Sequence, residues 1–151
     1  MSLDQKINQE LKQAILSGDK LRMETLRSVR ASIIEFAKSG IGREMNPDDE
    51  LKLLQNAAKR RRDAIELYER GNRQDLADKE KAELVILSEF LPQQISEGEA
   101  KDIVQRIASE VGASDMKDLG KVMGPVMKEL KGKYDGAKVQ ALVREILGGN
   151  A

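Results

Sequence analysis

Apolar residues in this chain recur at intervals of three and four and nowhere alternate singly with polar ones. That periodicity predicts about seven α-helices, with Gly and Pro marking the breaks between them. The first helix is expected from a Ser2 cap through Leu3, Ile7, Leu11 and Ile15 to a stop at Gly18. A second carries Leu26, Val29, Ile33 and Phe36 on one face and ends before Gly40. Asn46-Pro47 is a strong start signal, with Asn as cap and Pro in the first turn, and the third stripe is Leu51, Leu54, Ala58, Ile65 and Tyr68 as far as Gly71. The fourth helix, about Gln74 to Phe90, turns Leu76, Leu84, Leu87 and Leu91 inward and is halted by Pro92, which has no amide to donate.

Beyond Pro92 the helices shorten. Ser96-Glu97-Gly98-Glu99 has the spacing of a capping box and opens a fifth helix along Ile103, Ile107 and Val111. Leu119, Met123, Val126, Met127 and Leu130 share the next face. Gly124-Pro125 interrupts it, so either one kinked helix or two short ones would fit. Asp135 can cap the last helix, lined by Val139, Leu142, Val143 and Ile146. The expected architecture is all-α: an N-terminal four-helix domain over residues 1–92, then a small three-helix tail domain over residues 93–151.

Composition narrows the chemistry. Without Cys or His there is no thiolate or imidazole for catalysis or metal binding, so neither a metal nor another cofactor is expected. Carboxylates, Lys, Arg and Tyr remain, which lowers the prospect of an enzyme without abolishing it. The start, Met1-Ser2-Leu3-Asp4-Gln5-Lys6, lacks the basic-then-apolar pattern of a secretory leader, and no apolar run approaches a membrane span. A cytoplasmic protein with no membrane partner is the resulting expectation. The 26 basic and 26 acidic residues cancel, so any attraction to nucleic acid must be local. With Phe36, Tyr68, Phe90 and Tyr134 as the complete aromatic set, base stacking is a poor basis for it.

Two local features stand out. Arg61 falls within the apolar stripe of Leu54, Ala58 and Ile65, and Arg22 lies in line with Leu26, Val29 and Ile33. Such arginines most often form a half-buried ion pair; lining a ligand cleft is the alternative. Between residues 117 and 144, seven basic residues (Lys117, Lys121, Lys128, Lys131, Lys133, Lys138 and Arg144) face three acidic ones (Asp118, Glu129 and Asp135), a local excess of four. That segment is the best electrostatic candidate for phosphate, against the plainer reading of a solvated lysine face. Met116, Met123 and Met127 could form an adaptable partner surface, although methionines at helical spacing are more often core.

Two stretches are more specific. One runs Arg73-Gln74-Asp75-Leu76-Ala77-Asp78-Lys79-Glu80, through Glu83-Leu84-Val85-Ile86-Leu87, to Phe90-Leu91-Pro92-Gln93-Gln94-Ile95. The other is Gly120-Lys121-Val122-Met123-Gly124-Pro125-Val126-Met127, continuing to Lys131-Gly132-Lys133-Tyr134-Asp135-Gly136. With Leu26-Arg27 they make the chain resemble the YqeY family essentially end to end. That family is similar to the C-terminal helical and tail region of the B subunit of the tRNA-dependent amidotransferase. The resemblance implies a tail that reaches tRNA, with Gly120, Lys121, Met123, Gly124, Gly132, Lys133, Asp135 and Gly136 as its motif; Pro125 and Tyr134 depart from the pattern. It also carries the label of a carbon–nitrogen ligase with glutamine as amido-N-donor, for which no ammonia-releasing nucleophile or ATP site is visible here. The expected role is a non-catalytic, tRNA- or translation-associated accessory protein touching RNA backbone through Lys121, Lys128, Lys131, Lys133 and Lys138. The alternative is a helical module for an unidentified protein partner, without RNA.

Overall fold

The computed structural model describes residues 1–148, and every described element is helical. The chain forms two compact units, Met1–Leu91 and a second beginning at Pro92.

In the first unit, α1 (Leu3–Ser17) and α2 (Lys20–Lys38) form a hairpin, as do α3 (Pro47–Arg70) and α4 (Gln74–Ser88). Local chemistry sets the starts of α1 and α3. The Ser2 hydroxyl accepts from the Gln5 amide while the Gln5 side chain accepts from the Ser2 amide, and Asn46 and Asp49 repeat this reciprocal arrangement before Pro47. Gly18, at φ 73°, takes the left-handed turn that lets α2 fold back on α1. A carboxylate oxygen of Glu50 accepts from the Leu3 amide at 2.5 Å, tying the start of α1 to α3. The core gathers Ile7, Leu11, Leu26, Val29, Leu54 and Leu87.

Two details differ from the periodicity. Ile15 is 52% exposed, and Ala14 takes the last buried place on α1, because a strict spacing of four drifts around a helix of 3.6 residues per turn. The fourth helix ends at Ser88, short of Phe90, since Pro92 drives the residue before it out of helical conformation and the last turn unwinds ahead of it.

In the second unit α5 (Glu97–Glu110), α6 (Leu119–Leu130) and α7 (Gly136–Gly148) each pack against the other two, with one 3-10 turn at Met116–Asp118 leading into α6. Their shared core holds Val104, Ile107, Val122, Val126, Leu130, Val139, Leu142 and Val143. At the start of α5 the Ser96 hydroxyl accepts from the Glu99 amide, one half of the expected box. Gly124-Pro125 breaks nothing: α6 runs through as one helix with Pro125 inside it. The Pro side of α6 faces solvent, where the carbonyl that loses its partner can bond to water. Val122 is a core residue that the periodic stripe omits, while Met127 is 42% exposed rather than core. Val111 likewise leaves the α5 face and caps the helix.

Candidate nucleic-acid interface

Helix α6 sets the geometry of the basic segment. Val122, Val126 and Leu130 fix its inner face. At 100° per residue, Lys121, Gly124, Pro125 and Lys128 then form the strip pointing away from the core, and all four are exposed. Lys121 and Lys128, seven residues apart, stand about 10 Å apart along the axis. Between them the surface has almost no side chain. A methyl group at Gly120 or Gly124 would meet nothing within 4 Å beyond the adjoining residues, although at Gly124 the ring of Pro125 itself crowds a Cβ on the helical residue before it. Gly120 nonetheless costs roughly 1 kcal/mol in helix stability relative to Ala.

The strip continues into a tight turn. The Lys133 amide donates to the Leu130 carbonyl at 2.9 Å, with Lys131 at φ −54°, ψ 120° and Gly132 at φ 76°. Those angles define a type II turn, whose third position needs a residue at positive φ, which Gly132 supplies without strain. The turn is fixed from a second side: the Gln94 amide donates to the Gly132 carbonyl at 2.6 Å, and the Ile95 amide to the Lys133 carbonyl at 3.0 Å. Lys131 and Lys133 are therefore exposed side chains on a rigid corner. Tyr134 is half-buried against the core beside it.

The rest of the motif is structural in its visible contacts. The Asp135 carboxylate accepts from the Ala137 amide at 3.0 Å, and its carbonyl takes the amides of Lys138 and Val139, so it starts α7. Gly136 lies against Met127, whose Cε would be 3.7 Å from an added methyl. Met123 is half-buried on the core.

The five lysines are not one patch. Lys121, Lys128, Lys131 and Lys133 follow α6 and its turn. Lys138 lies seven residues before Glu145 and so on the same side of α7, the side from which Glu145 reaches Lys101 of α5 at 3.4 Å. Arg144 is exposed on α7. One acidic residue meets the strip at its start. Lys121 lies 3.6 Å from Asp118, whose carboxyl is held below its ordinary range first by the Ser114 amide and then by the Lys121 charge.

Both marked arginines sit in the other unit and in ion pairs. Arg22 bridges Glu10 and Glu89, each at 2.8 Å, and its pKa is raised, most by the hydrogen bond to Glu10. Arg61 donates to the Ala57 carbonyl at 3.1 Å and lies 3.4 Å from Glu83. The acidic partners Glu10, Glu83 and Glu89 were invisible in the sequence because none shares a helix with its arginine. Among the described residues no cluster of three or more His, Cys, Asp or Glu could hold a metal ion, and no helix is long and apolar enough to cross a membrane.

A two-unit helical protein carrying a cationic, glycine-floored helix face is the class that this geometry defines. The chain belongs to the YqeY family: the family model described as Yqey-like protein matches residues 4–147. Among curated proteins it is similar to altered inheritance of mitochondria protein 41 of Pyrenophora tritici-repentis, 30% identical over 95% of this chain and 80% of that protein. The protein of that name from Lachancea thermotolerans is 27% identical over 72% of this chain and 59% of its own length. The uncharacterized protein C22F3.15 of Schizosaccharomyces pombe is 33% identical over 60% of this chain and 72% of its own. Two of these relatives are mitochondrial by name, which overturns the expected cytoplasmic location. Composition and the first few residues were the wrong basis for that expectation, because a folded helical body carries no address of its own.

Proposed function

We propose that this protein is a non-catalytic accessory protein that holds an RNA backbone, with tRNA the favoured class, on the outer face of α6 and the turn behind it. One observation carries the reading. Lys121 and Lys128 flank a floor of Gly124 and Pro125 that carries little side chain, and Lys131 and Lys133 extend the cations around a rigid corner. A floor without side chains lets a sugar-phosphate backbone approach the helix closely, and lysines neutralise phosphates with little sequence preference. The preference for tRNA rests on the resemblance to the amidotransferase tail. That resemblance supports no amide transfer by this chain alone, since the ligase chemistry lies in parts of the amidotransferase that have no counterpart here.

A second reading draws on Met116 and Met127, 41% and 42% exposed in the same unit, which suit an apolar partner helix. Salt separates the two. Titration with total tRNA at low and physiological salt, with rRNA fragments and duplex DNA as competitors, should give binding that prefers tRNA and weakens steeply with salt. The double substitution K131E/K133E should abolish it. Absence of binding at low salt would remove the RNA reading and leave the partner helix in front.

A further inference from the structure

A second feature lies in the N-terminal unit and is independent of the α6 face. A cleft of about 380 Å³ opens between the C-terminal half of α2 and the N-terminal half of α3. Its size is at the lower end of small-molecule sites, about 300–1,000 Å³. Its floor is apolar, from Phe36 and Leu53, and its rim carries charges of both signs. Glu35 stands on the α2 wall; Lys52, Asn56 and Arg60 stand on the α3 wall at successive intervals of four, which puts them in one row.

The other rim charge is already committed. Arg43 takes Asp49 in a two-pronged contact while lying 5.7 Å over the Phe36 ring. No salt bridge reaches Glu35 or Arg60 among the described residues, although ion pairs are frequent elsewhere in this unit, and Lys52 is only weakly engaged, as the last and smallest influence holding the Asp49 carboxyl down. Two cationic donors and an amide on one wall, a carboxylate on the other and an apolar floor between them complement a small zwitterion with an apolar body.

We infer that the α2–α3 cleft binds a free α-amino acid with a branched or aromatic apolar side chain. Its carboxylate lies against Arg60 and Lys52, its ammonium against Glu35, and its side chain on Phe36 and Leu53. Each charged group is oriented by the wall that presents it, so both ends of the ligand are needed.

The test is an NMR titration of the full-length ¹⁵N-labelled protein with leucine, N-acetylleucine and leucinamide. Leucine should give saturable shifts confined to residues 32–39 and 49–60, and each capped derivative should bind about tenfold or more weakly because it lacks one charge-assisted hydrogen bond. The exposed substitutions E35Q and R60Q should each reproduce that weakening while leaving the rest of the spectrum unchanged. No shift at millimolar leucine overturns the inference. Equal binding of all three probes overturns it as well, because the cleft would then take apolar groups without reading their charges.

Discussion

Arg61 and Glu83 lie 3.4 Å apart with only 11% and 13% of their side chains exposed, yet Nε of Arg61 finds no hydrogen-bond acceptor. The contact is one of charge without alignment. Burial raises the Glu83 carboxyl above its ordinary value, the Glu80 charge adds to that, and the pull of Arg61 does not offset the two.

From this follows an unusual response to substitution. Arg61→Ala should cost about 1–3 kcal/mol, through the missing packing of its stem and an unpaired Glu83. Glu83→Gln should stay within about 1 kcal/mol of the parent, because a neutral amide avoids the burial penalty and the ion pair given up is poorly aligned. A carboxyl whose folded pKa lies above its unfolded value of 4.5 makes the protein more stable as pH falls through that interval. Urea melts between pH 4 and pH 7 should show this slope in the parent and lose it in Glu83→Gln. An identical slope in both would show that Glu83 is not its source.

Asp49 should respond in the opposite sense. The Arg43 guanidinium, and after it the Asn46 amide, hold its carboxyl at about 2, against an ordinary 3.8. A depressed carboxyl contributes stability that is fully present above its unfolded pKa and lost as pH falls through the folded one. Thermal melts should therefore lose this contribution between about pH 4 and pH 2. Asp49→Asn should already be less stable at pH 7 and show a shallower acid limb. Equal acid sensitivity in the two proteins would remove Asp49 from the account.

Much of this fold was legible because helix punctuation is local chemistry. Ser2, Gly18, Asn46-Pro47, Gly71 and Pro92 act through their own backbone and that of near neighbours, so the residues announce the break. What needed coordinates was whatever depends on phase or on another helix. Ile15 and Ala14 exchange places within a fraction of a turn, and Val122 and Met127 do so on α6. The candidate site divides in the same way. Lys131-Gly132-Lys133 is recognisable as a motif, but its type II turn depends on Gln94 and Ile95 from outside it. Proximity in sequence groups Lys138 with the other lysines, whereas the direction in which α7 presents it can be read only from the packing of that helix.

The two glycines give different predictions. Gly124→Ala should leave stability within about 1 kcal/mol of the parent, because the helix preference of Ala is offset by crowding of its Cβ against the ring of Pro125. Gly132→Ala, at φ 76°, should destabilise it by about 1–2 kcal/mol, because an L-residue is strained there. If the floor of α6 exists for close approach of a backbone, Gly124→Ala should at the same time weaken tRNA binding. A folded variant with undiminished tRNA affinity would show that the glycine serves something else.

The direction of the lysines provides the sharpest test of where RNA lies. Lys121 and Lys128 share the outward strip of α6, whereas Lys138 shares a side of α7 with Glu145. Removing one lysine–phosphate pairing should lower the dependence of log K on log salt by about 0.7–0.9. Lys128→Glu should therefore weaken tRNA binding and flatten that dependence, while Lys138→Glu, in a protein of the same net charge, should change both much less. Matching the two variants in net charge removes long-range attraction as the explanation and leaves position as the variable. Equal weakening by both would mean that the lysines act only as a diffuse field. A larger effect of Lys138→Glu would move the RNA from the strip on α6 to the side of α7 that faces α5.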